Sequence, residues 1–114
     1  MPGTSLDMSA FENLKALAGA DFIGELIETF LEDAPKLIEQ LRTSLAARDA
    51  ETFRRAAHSL KSNAASFGAG ELSLLAQRLE MLGRQNKLPE TGDPLQAVIE
   101  AYESAAEQLK GLRG

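Results

Sequence analysis

The sequence predicts an all-α fold, an antiparallel up-down four-helix bundle with a short additional N-terminal helix. Three observations carry this expectation. The 114-residue chain holds four prolines, no tryptophan and one tyrosine, and its many Ala, Leu and Glu residues are strong helix formers. Apolar positions keep a helical period over four long segments, with no strand-like alternation, repeat or low-complexity tract. Capping and turn residues mark the ends of those segments. Each segment carries one apolar stripe that it cannot bury alone. Four antiparallel helices around one core bury all four stripes.

The elements follow in order. Ser9 and Glu12 in "SAFE" match a capping box, opening a short helix with Phe11, Leu14 and Leu17 on one face and Gly19 as its stop. From Asp21 to about Ala47 the positions Ile23, Leu26, Ile27, Phe30, Leu31, Ala34, Leu37, Ile38, Leu41 and Leu45 stay in phase past Pro35. One long helix, kinked near the proline rather than ended there, is expected. Asp49 caps the next helix, which runs to about Gly68, and Gly68-Ala69-Gly70 forms a tight turn. A helix from about Gly70 to Gln85 buries Leu72, Leu75, Ala76, Leu79 and Leu82. "NKLPETGDP" is the one real loop. Asp93 then caps the last helix, with Pro94 at its first position and Gln96 completing a box. Residues 1–114 are expected to be one domain with its core at about 21–112, and residues 1–8 a flexible N-terminal segment.

Composition narrows the function. The chain has no cysteine, which removes disulfides and thiolate metal sites and suits a reducing compartment. The start lacks the basic end and apolar run of a signal peptide, and no stretch approaches the ~20 apolar residues of a membrane span. A formal charge of −5 disfavours nucleic acid as a partner, because phosphates call for a basic surface. A monomer in the cytoplasm, without membrane contact, is the expectation. With one histidine and no cysteine, a metal site would have to rest on carboxylates alone, and these read as solvated helix faces. No GxxxxGK[ST] loop is present to cradle ATP, and no acid or nucleophile is placed to form a triad around "HSL".

The one histidine, His58, is the residue that stands out. At ~100° per residue, Phe53, Ala56, Ala57, Leu60, Ala64 and Phe67 gather on one side of their helix, and His58 projects at ~150° from the middle of that group. It therefore faces outward. Ser62 and Ala65 follow on the same outer face, and Arg54, Arg55 and Lys61 border it. A neutral imidazole is a good nucleophile near neutral pH, since the unperturbed group titrates at about 6.5. The small residues leave room for another protein's active site, and Lys61, one turn away, can counter the charge of an arriving phosphoryl group. Phosphoryl transfer depends mostly on positioning and electrostatics, so few groups are needed on this side of the reaction.

"AHSLKSNAASFGA", followed by "LSLLAQRLEMLGR" and preceded by "DFIGELIETFLEDAPKLIEQL", resembles the histidine phosphotransfer (HPt) domain of two-component phosphorelays, from about Asp21 to Arg84. The resemblance implies a bundle fold, His58 as phosphoacceptor and Lys61 as the neighbouring charge. It also implies receiver domains of response regulators, or a hybrid sensor kinase, as partners, with Mg²⁺ on the receiver and no cofactor here. Where the family often has glycine this chain has Ser62. Where members often carry a glutamine that hydrogen-bonds the imidazole, it has Glu80. A hairpin centred near Ala69 sets Glu80 level with His58, so the carboxylate can hold one ring nitrogen as N–H and free the other. Its negative charge also repels a phosphoryl group, and a solvated helix charge is the other reading of Glu80. Gln77 and Arg84, opposite the segment from Arg54 to Lys61, are docking candidates or ordinary exposed residues. Ser59 follows His58 where sensor-kinase dimerisation helices usually have an acid, which favours an intermediary over a kinase. The alternative from another class is a non-catalytic helical adaptor with an incidental surface histidine.

Overall fold

The computed structural model describes residues 6–90 and 92–113. Five α-helices lie among them: α1 (Met8–Ala18), α2 (Ala20–Ala47), α3 (Ala50–Ser66), α4 (Gly70–Arg84) and α5 (Gly92–Arg113), with a single 3-10 turn at Leu88–Glu90. Helix α2 packs on α3 and α5, and α4 packs on the same two, so the four long helices close a ring, with α1 laid against α2 and α3. This is the four-helix bundle with an extra N-terminal helix that the stripes require. The 28 residues of α2 make a rod of ~42 Å at 1.5 Å per residue, which matches the 41 Å long axis of the molecule. Helix α2 is its full-length spine.

Each bundle helix supplies large, fully buried side chains: Ile27 and Leu41 from α2, Phe53 and Leu60 from α3, Leu72 and Leu79 from α4, and Val98 and Leu109 from α5. Helices α3 and α4 also bury small side chains, Ala56, Ala57 and Ala64 from α3 and Ala76 from α4. Small side chains let two backbones approach. At Gly83 there is no room for a side chain: an added Cβ would lie 3.2 Å from Phe53 Cδ1 and 3.3 Å from Arg54 Cα.

Pro35 sits inside α2 without ending it. A proline has no N–H for the carbonyl four residues earlier, which here belongs to Leu31. The Tyr102 hydroxyl of α5 donates to that carbonyl at 3.5 Å, a long bond that gives the freed oxygen a partner. The Tyr102 ring also packs on Phe30, with centroids 6.0 Å apart, and burial pushes its hydroxyl up from its ordinary pKa.

Two helix starts differ from expectation. Asp7, not Ser9, caps α1, its Oδ1 accepting from the N–H groups of Ser9 and Ala10. Asp7 is held there because its own N–H donates to the Gly68 carbonyl at 2.6 Å, and Leu6 beside it is buried in the core. Of the expected flexible segment 1–8, residues 6–8 are therefore packed or helical, while residues 1–5 lie outside the described residues. Helix α5 starts at Gly92, which places Asp93 and Pro94 inside its first turn rather than at cap and first position. Pro94 is tolerated because first-turn N–H groups have no helical partner to lose. Gln96 Nε2 donates forward to Glu100 Oε2 at 3.2 Å.

The α3–α4 turn closes with a Schellman pair. Ala69 N–H donates to the Ala64 carbonyl at 2.9 Å and Gly68 N–H to Ala65 at 3.1 Å. Gly68 takes φ +77°, and an added Cβ there would collide with the Asp7 carbonyl oxygen. Glycine is needed twice over at this one position.

Candidate functional site

Asp49 caps α3 as expected, accepting from the Thr52 N–H at 3.1 Å, and so sets the phase of the helix. That phase buries Phe53, Ala57 and Leu60 and turns His58 outward, with 55% of its side chain exposed. The Gly68 turn then brings α4 back antiparallel. Glu80 arrives level with His58, eleven residues beyond Ala69 as His58 is eleven before it.

Glu80 is not a solvated charge. Its side chain is only 6% exposed and takes three positively charged or ionisable partners. Oε2 lies 2.9 Å from His58 Nδ1 and accepts from Arg84 Nη2 at 3.1 Å, while Oε1 lies 2.8 Å from Lys61 Nζ. Burial pushes the carboxyl up, but the hydrogen bonds and charges of Lys61 and His58 outweigh it and hold Glu80 below the ordinary carboxylate range. No buried side-chain polar atom among the described residues lacks a hydrogen-bond partner.

The consequence for His58 is a defined tautomer. An ionised carboxylate only accepts, so the Nδ1 facing it carries the proton. In the neutral ring the lone pair is then on Nε2, which has no hydrogen-bond partner among the described residues. A half-exposed imidazole with one nitrogen anchored and the other free is arranged as an outward-facing nucleophile.

The other predicted residues divide. Ser62 and Ala65 are exposed on the face of α3 beyond His58. Arg84, with its side chain exposed, reaches Glu80 Oε2 at 3.1 Å and so joins the cluster around His58. Gln77 is exposed on α4 one turn before Glu80. Arg54 and Arg55 both pair with Glu51, at 2.7 and 3.0 Å, and the hydrogen bond from Arg54 lowers the Glu51 pKa. Four residues at or beside the site were not anticipated. Gly83 lets α4 press onto α3 beside the site. The Ser73 hydroxyl donates to the Lys61 carbonyl at 3.1 Å across the two helices. Leu74 and Met81 are exposed on the side of α4 that also carries Gln77. Gly83 gave little signal for its role, because a glycine one residue before the end of α4 also reads as an ordinary helix-end residue.

No group of three or more His, Asp or Glu side chains that could hold a metal occurs among the described residues. No helix among them is long and apolar enough to cross a membrane.

Comparison with known proteins agrees with this geometry. The family model described as "Hpt domain" matches residues 25–111. The phosphorelay protein LuxU of Vibrio harveyi is 31% identical over 87 residues, 76% of each chain. Sensor protein TorS of Escherichia coli K12 is 34% identical over 85 residues, 75% of this chain but only 9% of TorS. The crystal structure of histidine-containing phosphotransfer protein B from Pseudomonas aeruginosa PAO1 superposes with a TM-score of 0.92 at 24% identity, covering 98% of this chain and 96% of that one, a likeness of fold. The bundle, the outward histidine and these matches together place the chain in the Hpt family, the histidine phosphotransfer domains of two-component phosphorelays.

Proposed function

We propose that His58 accepts a phosphoryl group from the aspartyl phosphate of a receiver domain and passes it to the aspartate of another receiver. The observation that carries this reading is the 2.9 Å contact of His58 Nδ1 with the buried Glu80, which leaves Nε2 free on an exposed face. The lone pair of Nε2 attacks phosphorus, the acyl O–P bond breaks, and its electrons leave with the donor carboxylate. Glu80 orients the ring. Lys61 is held on Glu80 at rest, and its flexible four-carbon arm turns to the phosphoryl oxygens as they arrive. The receiver supplies Mg²⁺ and docks over Ser62, Ala65 and the neighbouring face of α4 with Gln77, Leu74 and Met81. The protein acts as a cytoplasmic monomer, loaded by a receiver or a hybrid sensor kinase.

Incubation with a panel of phosphorylated receivers from the source organism tests this. Label moving onto the chain and onward to a second receiver is the expected result. No label from any receiver would favour a non-catalytic adaptor with an incidental histidine.

A further inference from the structure

The residue facing His58 is a carboxylate, and its charge has a consequence that orientation alone does not require. When Nε2 attacks phosphorus, the ring keeps its Nδ1 proton and becomes a cationic phosphoimidazolium. Onward transfer reverses this: the acceptor carboxylate attacks, the N–P bond breaks, and its electron pair returns to Nε2, leaving neutral imidazole. No proton need move in either direction. If the phosphorylated ring lost its Nδ1 proton, the leaving group would be an imidazolate anion, a far poorer one. Retention of that proton therefore decides whether the phosphohistidine is ready to transfer.

We infer that Glu80 is a positioning residue whose carboxylate keeps the Nδ1 proton on phosphorylated His58, and that Arg84 moderates this by sharing the same oxygen. The inference rests on the reading of His58 as phosphoacceptor. Its basis is geometric: His58 Nδ1 and Arg84 Nη2 both contact Glu80 Oε2, at 2.9 and 3.1 Å, while Lys61 Nζ takes Oε1. A neutral amide in place of Glu80 accepts the same hydrogen bond but offers no charge to the cationic ring. The charged and ionisable groups facing Glu80 come from two helices. His58, Lys61 and, further off, Arg54 approach from α3, and Arg84 from its own α4. The hydrogen bonds and charges of Lys61 and His58 hold the carboxyl below its ordinary range, and the ionised state is the one the role requires. Lys61 and Arg84 offset part of its charge, so the field at the ring is set by the balance of Glu80 against these two cations.

The test loads ¹⁵N-histidine-labelled protein from a phosphorylated receiver, or from a small phosphoramidate, and follows the ring nitrogens of phospho-His58 by NMR against pH. Wild type should retain the Nδ1 proton to higher pH than Glu80→Gln. Arg84→Ala should retain it to higher pH still, because the competing cation is gone. Onward transfer to a receiver, measured above neutral pH, should be about ten-fold slower in Glu80→Gln, the scale of a nearby opposite charge. Arg84 is two-thirds exposed, so its variant folds even if Glu80→Gln does not. Coincident wild-type and Glu80→Gln titrations overturn the inference, as does an Arg84→Ala shift to lower pH. A phosphoryl group found on Nδ1 also overturns it, while leaving His58 as phosphoacceptor. Failure to load His58 from either donor would instead strike the functional reading on which it rests.

Discussion

Lys61 Nζ lies 2.8 Å from Glu80 Oε1, so the cation expected to meet phosphate is already engaged by a buried carboxylate at rest. The sequence reading gives Lys61 work only when phosphate is present. The structure gives it a second task, holding one oxygen of Glu80. Lys61→Ala should therefore slow transfer or shorten the lifetime of phospho-His58, and also destabilise the fold by about 1–2 kcal/mol. That is less than the loss from a fully buried pair, because His58 and Arg84 remain on the carboxylate. Urea unfolding and transfer kinetics, measured together, check both parts. Unchanged kinetics at low and moderate salt would make the ion pair purely structural.

His58→Gln should abolish labelling and leave the bundle intact. The side chain is half exposed, and the change should stay within about 0.5 kcal/mol. Circular dichroism and a phosphotransfer assay are sufficient. A variant that still takes up label would remove His58 from the reaction.

The face of α3 beyond His58 should lie inside the docking interface. Ala65→Trp and Ser62→Arg put bulk on exposed positions of that face and should block loading from a receiver without loss of helicity. Ser62→Arg should act by size, since its charge alone favours phosphate. A small phosphoramidate needs less room and should be less affected. Normal loading of both variants from a receiver would mean that the partner approaches from another direction.

Gly68→Ala should cost about 2 kcal/mol or more, because φ +77° is strained for alanine and the new Cβ meets the Asp7 carbonyl. Gly70→Ala is the matched control, with nothing within 4 Å of its added Cβ, and should be neutral or slightly stabilising. Thermal unfolding of the two variants side by side separates the roles. Equal midpoints would show that the Asp7–Gly68 contact carries no stability.

Acid should weaken the site cluster in a defined direction. Glu80 is held below its ordinary pKa of 4.5 in the folded chain, so its ion pairs contribute stability that is fully present above that value. The contribution is lost as pH falls through the lower folded value. Wild type should exceed Glu80→Gln in urea midpoint near neutral pH, and the gap should close below pH 4.5. A gap independent of pH would mean that ionisation of Glu80 contributes nothing to folding.

The division between sequence and tertiary structure follows the range of the forces involved. Helical phase is local, so the stripes of α2 to α5, the outward direction of His58 and the small outer face at Ser62 and Ala65 were all legible from spacing alone. Gly19 and Gly68 likewise marked turns through their own backbone freedom. The caps were less legible. Ser9 matches the pattern for an N-cap, but Asp7 takes the role because its backbone is tied to Gly68, sixty-one residues away in the chain. Pro35 was expected inside one helix, yet the partner for the Leu31 carbonyl comes from Tyr102 of α5. Glu80 shows the limit most clearly. Symmetry about the turn placed it level with His58, but whether it was solvated or buried depended on how closely α4 approaches α3. That approach is set by buried alanines and by Gly83 against Arg54, contacts between segments far apart in the chain. Spacing alone located the histidine, and only packing decided that a buried carboxylate, shared with Lys61 and Arg84, holds its ring.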